Sequence, residues 1–138
     1  MSTFSLLDHD ADLSLEIYGG TLEELFENAV FALFSVMIER KAGTEDSGDL
    51  SKSIRVHGDG ELLLSFLNEI LYLWDTERIV VDKVSVELKE GELEAKLLGR
   101  RFDPKKHEVK KEIKAATYHN FSIEKRKDGF VARVVFDV

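Results

Sequence analysis

The sequence has 138 residues, of which 43% are hydrophobic, enough for one domain that buries roughly two thirds of the surface of its unfolded chain. Acidic residues outnumber basic ones by 27 to 19, and the net charge of −8 argues against nonspecific binding to nucleic acid or to an anionic membrane as the main role. The absence of cysteine excludes disulfides, thiolate metal sites and cysteine nucleophiles. With no signal-peptide pattern and no long apolar run, we expect a cytoplasmic protein.

The first predicted elements are a strand and a helix. Apolar and polar residues alternate from residue 13 to residue 18, which is typical of a strand with one buried face, and two glycines end it. Thr21 and Glu24 have the spacing of a capping box, and the apolar residues that follow recur at helical spacing. The pattern predicts a helix over residues 22–38.

The remaining sequence predicts one more helix and five more strands, with a surface loop over residues 41–51. In chain order these are a strand over residues 53–57, a helix over residues 63–75, a hairpin of two strands that turns at Glu90-Gly91, and two strands over residues 112–124 and 130–138. The order βαβαββββ predicts a single α+β domain over residues 1–138, a sandwich in which two helices pack on a largely antiparallel sheet.

Carboxylates stand at both ends of the chain, beside the first and last predicted strands. Asp8, Asp10 and Asp12 share one side of an extended segment, and Asp137 precedes the terminal Val138. If the two strands pair, these acids meet and repel one another, and a cation bound between them would keep them ionised. Oxygen ligands favour calcium, magnesium or manganese. The alternative is two acidic strand ends that face water separately.

Positive charge is concentrated in one segment, residues 100–114, which holds seven of the 19 basic residues. It is either a solvated charged loop or a contact surface for phosphate or an acidic partner. Lys114 lies near the start of a predicted strand, where it is held more firmly than on a loop. The candidate contact residues are Arg100, Arg101, Lys105, Lys106 and His107.

The sequence lacks the motifs of several common classes of enzyme and nucleotide-binding protein. It contains no glycine-rich pattern for a dinucleotide or a nucleoside triphosphate, no G-x-S-x-G nucleophile elbow and no H-E-x-x-H helix. The four histidines are scattered without the spacing of metal ligands. The residues alone therefore indicate an acidic domain with a possible metal site and a basic segment.

Five segments in order resemble the archease family, small protein cofactors of the GTP-dependent tRNA-splicing RNA ligase. Asp10 and Asn68 depart from the family pattern, which has threonine and commonly aspartate at those positions. The segments that carry the resemblance are Leu7–Asp12, Gly20–Phe26, Phe66–Tyr72, Glu112–Tyr118 and Phe136–Val138.

The resemblance implies a calcium-type site formed by Asp12, Asp137 and the main chain of Val138. It also implies that Lys114 and Glu24 matter for activating the ligase, which charges itself with GMP before it joins RNA ends. His9, beside the acids, is a further candidate for this role. The expected function is that of a non-enzymatic activator that promotes ligase guanylylation and multiple turnover and contacts RNA through the ligase.

Two other functions remain open from the sequence. A stand-alone metal-dependent phosphoesterase would use the acids to bind a catalytic metal and the basic segment to bind phosphate. An RNA-binding or chaperone-like module would use the basic segment alone, and its RNA binding would be sensitive to salt.

Overall fold

The fold is taken from a computed structural model, which describes residues 3–7, 13–41, 48–58 and 61–138. Within these residues the chain forms two helices, α1 (Leu22–Met37) and α2 (Leu62–Glu77). The strands of the same residues are β1 (Phe4–Leu7), β2 (Leu13–Gly19), β3 (Ile38–Arg40), β4 (Leu50–His57), β5 (Ile79–Lys89), β6 (Glu92–Arg101), β7 (His107–Val109), β8 (Ala115–Arg126) and β9 (Gly129–Asp137).

The strands form three sheets in which every pair is antiparallel. One sheet has four strands in the order β1-β2-β9-β8, a second has three in the order β4-β6-β5, and β3 pairs with β7. Helix α1 contacts β2 and β9 of the first sheet and β5 of the second, while α2 contacts β8 and all three strands of the second. The helices therefore join the two larger sheets through one hydrophobic core.

Helix α1 begins with the capping box expected from the sequence. The Thr21 hydroxyl accepts a hydrogen bond from the Glu24 amide at 3.1 Å, and the Glu24 carboxylate accepts one from the Gly20 amide at 3.0 Å. One turn later, the Glu27 carboxylate accepts a hydrogen bond from the amide of Val86 at 2.9 Å. Because Val86 lies in an edge strand, this bond satisfies a main-chain donor that no neighbouring strand could reach.

Helix α2 supplies the largest buried side chains, among them Trp74 and Phe66, which are at most 1% exposed. It starts after Glu61 without a side-chain cap and ends at Arg78, whose φ of 53° lies in the left-handed region. The Arg78 guanidinium lies 4.4 Å from the centre of the Trp74 ring, so the helix ends on a cation–π contact.

The predicted fold class is confirmed, because two helices pack against antiparallel sheets. Both predicted helices and the turn at Glu90-Gly91 are present, and the order βαβαββββ gains three short strands, β1, β3 and β7. These have only three or four residues, too few for an alternating pattern to register in the sequence. Strand β4 begins at Leu50, within the segment predicted as a loop. No helix of the described residues has the length and apolar character needed to cross a membrane.

Candidate functional site at the strand termini

The first and last long strands, β2 and β9, pair, which is one of the two alternatives that the acidic ends of the chain left open. Leu13 lies opposite Phe136 in the β2–β9 pair, and Ala115 lies opposite Asp137 in the β8–β9 pair. The amide of Lys114 donates a hydrogen bond to the main-chain carbonyl of Asp137 at 2.8 Å. One end of the sheet thus brings together the start of β2, the residue before β8 and the end of β9. We call the residues Leu13, Lys114, Asp137 and Val138 the terminal site.

The carboxylate of the terminal site, that of Asp137, points outward. Phe136 is fully buried and Asp137 is exposed, as the alternation along a strand requires. Val138 is 38% exposed. Among the residues that the structure describes, no lysine or arginine forms an ion pair with Asp137. This carboxylate is therefore accessible to a ligand from outside the chain.

Lys114 is held at its main chain and exposed at its side chain. The Lys114 main chain is fixed by its bond to Asp137, and two residues later the main chain of Ala116 is fixed by Asn68 of α2. The Asn68 carboxamide accepts a hydrogen bond from the Ala116 amide at 2.7 Å and donates one to the Ala116 carbonyl at 3.1 Å. Both main-chain groups face away from β9, so a single side chain satisfies the open side of β8 at this point. In the described part of the chain, the Lys114 ammonium has no ion-pair partner.

Glu24 lies outside the terminal site. Its carboxylate is exposed and caps the first turn of α1 through the Gly20 amide. This capping accounts for the carboxylate at this position. Its role in activating the ligase stays a prediction.

The basic segment contributes more to the fold than a solvated loop would. The side chain of Arg100 is only 11% exposed, and its Nε lies 3.5 Å from the carboxylate of Asp82. Arg101 is exposed and donates a hydrogen bond to a main-chain carbonyl at the end of α2 at 2.9 Å. Lys105 is exposed and Lys106 is half-buried. A contact of Arg100 with phosphate or a partner would require the fold to open, whereas for Arg101, Lys105 and Lys106 the predicted contact stays a prediction.

His107 is buried, which its place in a charged segment did not suggest. It is 2% exposed, its ring lies 5.7 Å from that of Phe102, and its Nδ1 accepts a hydrogen bond from the Asp103 amide at 3.0 Å. Burial lowers the pKa of His107 below its usual range, and the nearby guanidiniums of Arg40 and Arg100 lower it further. The imidazole is thus a neutral structural group, and contact with phosphate would require its exposure.

One of the three residues of the predicted metal site, Asp12, lies outside the described residues, as do the neighbouring Asp8, Asp10 and His9. Within residues 3–7, 13–41, 48–58 and 61–138, no three acidic or histidine side chains are grouped closely enough to hold a metal. Asp137 and Val138 are exposed residues, and the Asp137 carboxylate and the Val138 main chain carry oxygen donors of the type that suits calcium and similar hard cations. In sequence, Asp12 is joined directly to Leu13, the partner of Phe136.

Comparison with known proteins identifies the family. The model of the Archease protein family matches residues 4–138. The chain belongs to the archease family. It is 44% identical to the protein archease of Pyrococcus furiosus over 139 residues, covering 95% of each chain. It is 40% identical to that of Archaeoglobus fulgidus over 146 residues, covering 98% of each.

Solved structures agree with this assignment. The archease-family chain is similar to the solution structure of Methanobacterium thermoautotrophicum protein 1598, with a TM-score of 0.84, 30% identity and full coverage of both chains. It also shares the fold of an archease from Thermotoga maritima, described as a possible chaperone, with a TM-score of 0.66 and 24% identity over 96% of this chain and 94% of that one.

Sequence reasoning missed two exposed tyrosines, Tyr72 and Tyr118, which are 60% and 69% exposed. The sequence does indicate that Tyr72 is exposed. Glu69 and Asp75 stand three residues before and after it, which places all three side chains on the polar face of α2. The sequence carries no such signal for Tyr118.

Proposed function

We propose that this archease-family chain is a cytoplasmic, non-enzymatic activator of a GTP-dependent tRNA-splicing RNA ligase, promoting ligase guanylylation and multiple turnover. The proposal rests on the family membership, on the motif resemblance and on the geometry of the terminal site. One observation carries it. The register of β2, β9 and β8 assembles Lys114 and Asp137 at one end of the sheet, with the acidic opening segment joined to the adjacent Leu13.

In this proposal Asp12, Asp137 and the main chain of Val138 bind calcium or another hard divalent cation. The exposed Asp137 carboxylate, which has no ion-pair partner among the described residues, supports this assignment. When bound, the cation supplies positive charge that allows neighbouring carboxylates to remain ionised together. The carboxylates themselves would orient the adjoining ends of β2 and β9 at the surface that meets the ligase.

Lys114 would present its ammonium to the phosphates of the nucleotide in the ligase. Transfer of GMP to the ligase breaks a phosphoanhydride bond of GTP and releases pyrophosphate, and negative charge develops on phosphate oxygens as the bond breaks. A lysine whose main chain is fixed confines its ammonium to a smaller region than a lysine on a free loop, which lowers the entropic cost of stabilising such charge. The bond between the Lys114 amide and Asp137 provides this fixed position.

The proposed function is tested by measuring guanylylation of the purified ligase and the number of RNA ligations per ligase, with and without the full chain. We expect the chain to raise the guanylylation rate and to allow repeated turnover, while the chain alone consumes neither GTP nor RNA. No change in either quantity would contradict the proposal. Hydrolysis of a phosphoester by the chain alone would support the phosphoesterase instead, and salt-sensitive RNA binding without the ligase would support the RNA-binding module.

The metal assignment has its own test in calcium titration by calorimetry. Asp12→Asn and Asp137→Asn should each abolish or strongly weaken calcium binding, because each removes one charged ligand. Asp128→Asn is the matched control, since Asp128 is also exposed but lies in the β8–β9 turn at the opposite end of the strands. Equal calcium affinity in all three variants would contradict the site.

A further inference from the structure

Two tyrosines lie exposed along the line where α2 meets β8. Tyr72 on α2 is 60% exposed and Tyr118 on β8 is 69% exposed. Tyrosine is enriched among the residues that dominate protein–protein interfaces, because it combines a large apolar ring with a polar tip and few rotatable bonds. Two such rings left in solvent on adjacent elements are a candidate docking surface.

Hydrogen bonds between α2 and the chain leading into β8 fix where the tyrosines lie. Asn68 bonds to Ala116, and the indole of Trp74 donates to the Glu112 carboxylate at 3.3 Å. Helix and strand therefore run in opposite directions, and Tyr72 lies between these two contacts, at the height of Lys114 along the helix axis. Tyr118 follows on the other side of the Asn68 contact.

The separation of the main-chain positions of Tyr72 and Tyr118 along this line follows from the element geometry. Four helical residues separate Tyr72 from Asn68, and two strand residues separate Ala116 from Tyr118. Together these steps span roughly 13 Å. We call the surface formed by Tyr72, Lys114 and Tyr118 the tyrosine seam.

Tyr118 is held outward by an irregularity of β8. Thr117 pairs with Val135 and Ser122 with Arg133, so the four residues from 118 to 121 stand opposite a single residue of β9. Asn120 adopts a φ of 53° within this bulge. The hydroxyl of Thr117 donates to the Val135 carbonyl at 3.0 Å, which anchors the chain just before Tyr118. Bulges of this kind redirect side chains at edges and functional sites.

The seam is flanked by negative charge. Glu69 and Asp75, both exposed, stand one turn before and after Tyr72 on the same face of α2. Asp137 is adjacent to Lys114 through the main-chain bond. Three exposed carboxylates thus flank the single lysine of the seam, so these residues together carry a net negative charge. Such a surface is complementary to a basic protein surface and repels a second copy of a chain with a net charge of −8.

We propose that the tyrosine seam is the surface on which the ligase docks, against the basic surface that borders its RNA-binding site. This inference rests on the proposed function, because an RNA ligase must carry positive charge to bind a polyanion. Docking here would place Lys114, which lies level with Tyr72, beside the site of nucleotide and RNA. The acidic surround would speed association by electrostatic attraction.

The experiment measures the dissociation constant of the full chain and the purified ligase for Tyr72→Ala, Tyr118→Ala and the control Phe31→Ala. Phe31 is a matched control because it is an exposed aromatic residue on a helix, 58% exposed, but on α1. We expect each tyrosine variant to bind about tenfold more weakly or worse and the control to bind as the wild type does. Tyr72 and Tyr118 are exposed, so their variants should keep the wild-type melting temperature. Phe31→Ala also loses an edge-on contact with the Phe4 ring, whose centre lies 6.2 Å away, and should lower the melting temperature only slightly.

The outcomes separate the seam from the proposed function. If the wild-type chain neither binds nor activates the ligase, the proposed function fails and the seam with it. If the wild type activates the ligase and the tyrosine variants bind as tightly as Phe31→Ala, only the proposal that the ligase docks on the tyrosine seam is contradicted. Binding should also weaken as salt rises from about 50 mM to about 200 mM, and affinity independent of salt would contradict the basic partner surface.

Discussion

The main-chain amide of Lys114 and the main-chain carbonyl of Asp137 lie 2.8 Å apart and form a hydrogen bond. Lys114 precedes β8 and Asp137 ends β9, so this bond closes the pair of strands at the terminal site. It fixes the main chain of a lysine beside that of an aspartate while both side chains stay exposed. The stability of this end of the sheet and the proposed activity therefore depend on the same few contacts.

Asn68→Ala should lower the free energy of unfolding by about 1–3 kcal/mol, because it leaves the amide and carbonyl of Ala116 without their partner. Urea denaturation measures the change. Glu69→Gln, at the next and exposed position, is the control and should be close to the wild type. Equal stability of Asn68→Ala and Glu69→Gln would show that the Asn68 contact contributes nothing.

Asp82→Ala should be among the most damaging single substitutions, lowering the free energy of unfolding by about 3 kcal/mol. The Asp82 carboxylate forms ion pairs with Arg40 and Arg100 and accepts a hydrogen bond from the Gly48 amide at 3.0 Å. Its removal leaves the largely buried guanidinium of Arg100 without a carboxylate. Thermal unfolding compares it with Glu87→Ala, an exposed acid of the same strand, which should cost far less. Similar losses in both variants would argue against a special role for Asp82.

Stability should fall as the pH is lowered through the titration of His107. Burial first, then Arg40 and Arg100, lower its pKa below 6.5, while Asp82 and Asp103 act in the opposite direction. The unfolded chain then binds a proton more readily than the folded one, so this contribution is complete above the unfolded pKa and is lost as pH falls toward the folded pKa. The free energy of unfolding at about pH 7.5 and about pH 5.5 measures it. His107→Gln should show a smaller drop, and an identical drop would contradict the assignment.

The helix-capping role of Glu24 and its proposed role in activation can be separated by substitution. Glu24→Ala loses the bond to the Gly20 amide and should destabilise the chain by about 0.5–2 kcal/mol. Glu24→Gln keeps an acceptor oxygen and should retain most of that stability. If its charge also serves activation, Glu24→Gln should be stable and deficient in ligase guanylylation. Full activation by Glu24→Gln would confine Glu24 to helix capping.

The sequence predicted those parts of the molecule that depend on local patterns. The capping box at Thr21 sets the start of a helix, and the alternation from Leu13 onward sets a strand. Each depends on only a few neighbouring residues, and both elements are present in the structure. The acidic ends left two alternatives open, pairing of the terminal strands or separate strand ends, and the register of Leu13 with Phe136 shows that the strands pair.

Other features depend on contacts between distant segments and could not be predicted. His107 is buried because β7 pairs with β3 across nearly seventy residues of chain, although its own neighbours are charged. The exposure of Tyr118 depends on a bulge in the β8–β9 register. Neither long-range pairing nor a bulge leaves a periodic signal in the sequence.

The most direct measurement is the initial rate of ligase guanylylation in the presence of Lys114→Ala, with Lys125→Ala as the control. Both lysines are exposed, but Lys125 lies at the opposite end of β8, opposite Phe130. Lys114→Ala should lose most of the activation while it still binds the ligase, and Lys125→Ala should activate as the wild type does. Equal activation by the two variants would contradict the role of the terminal site.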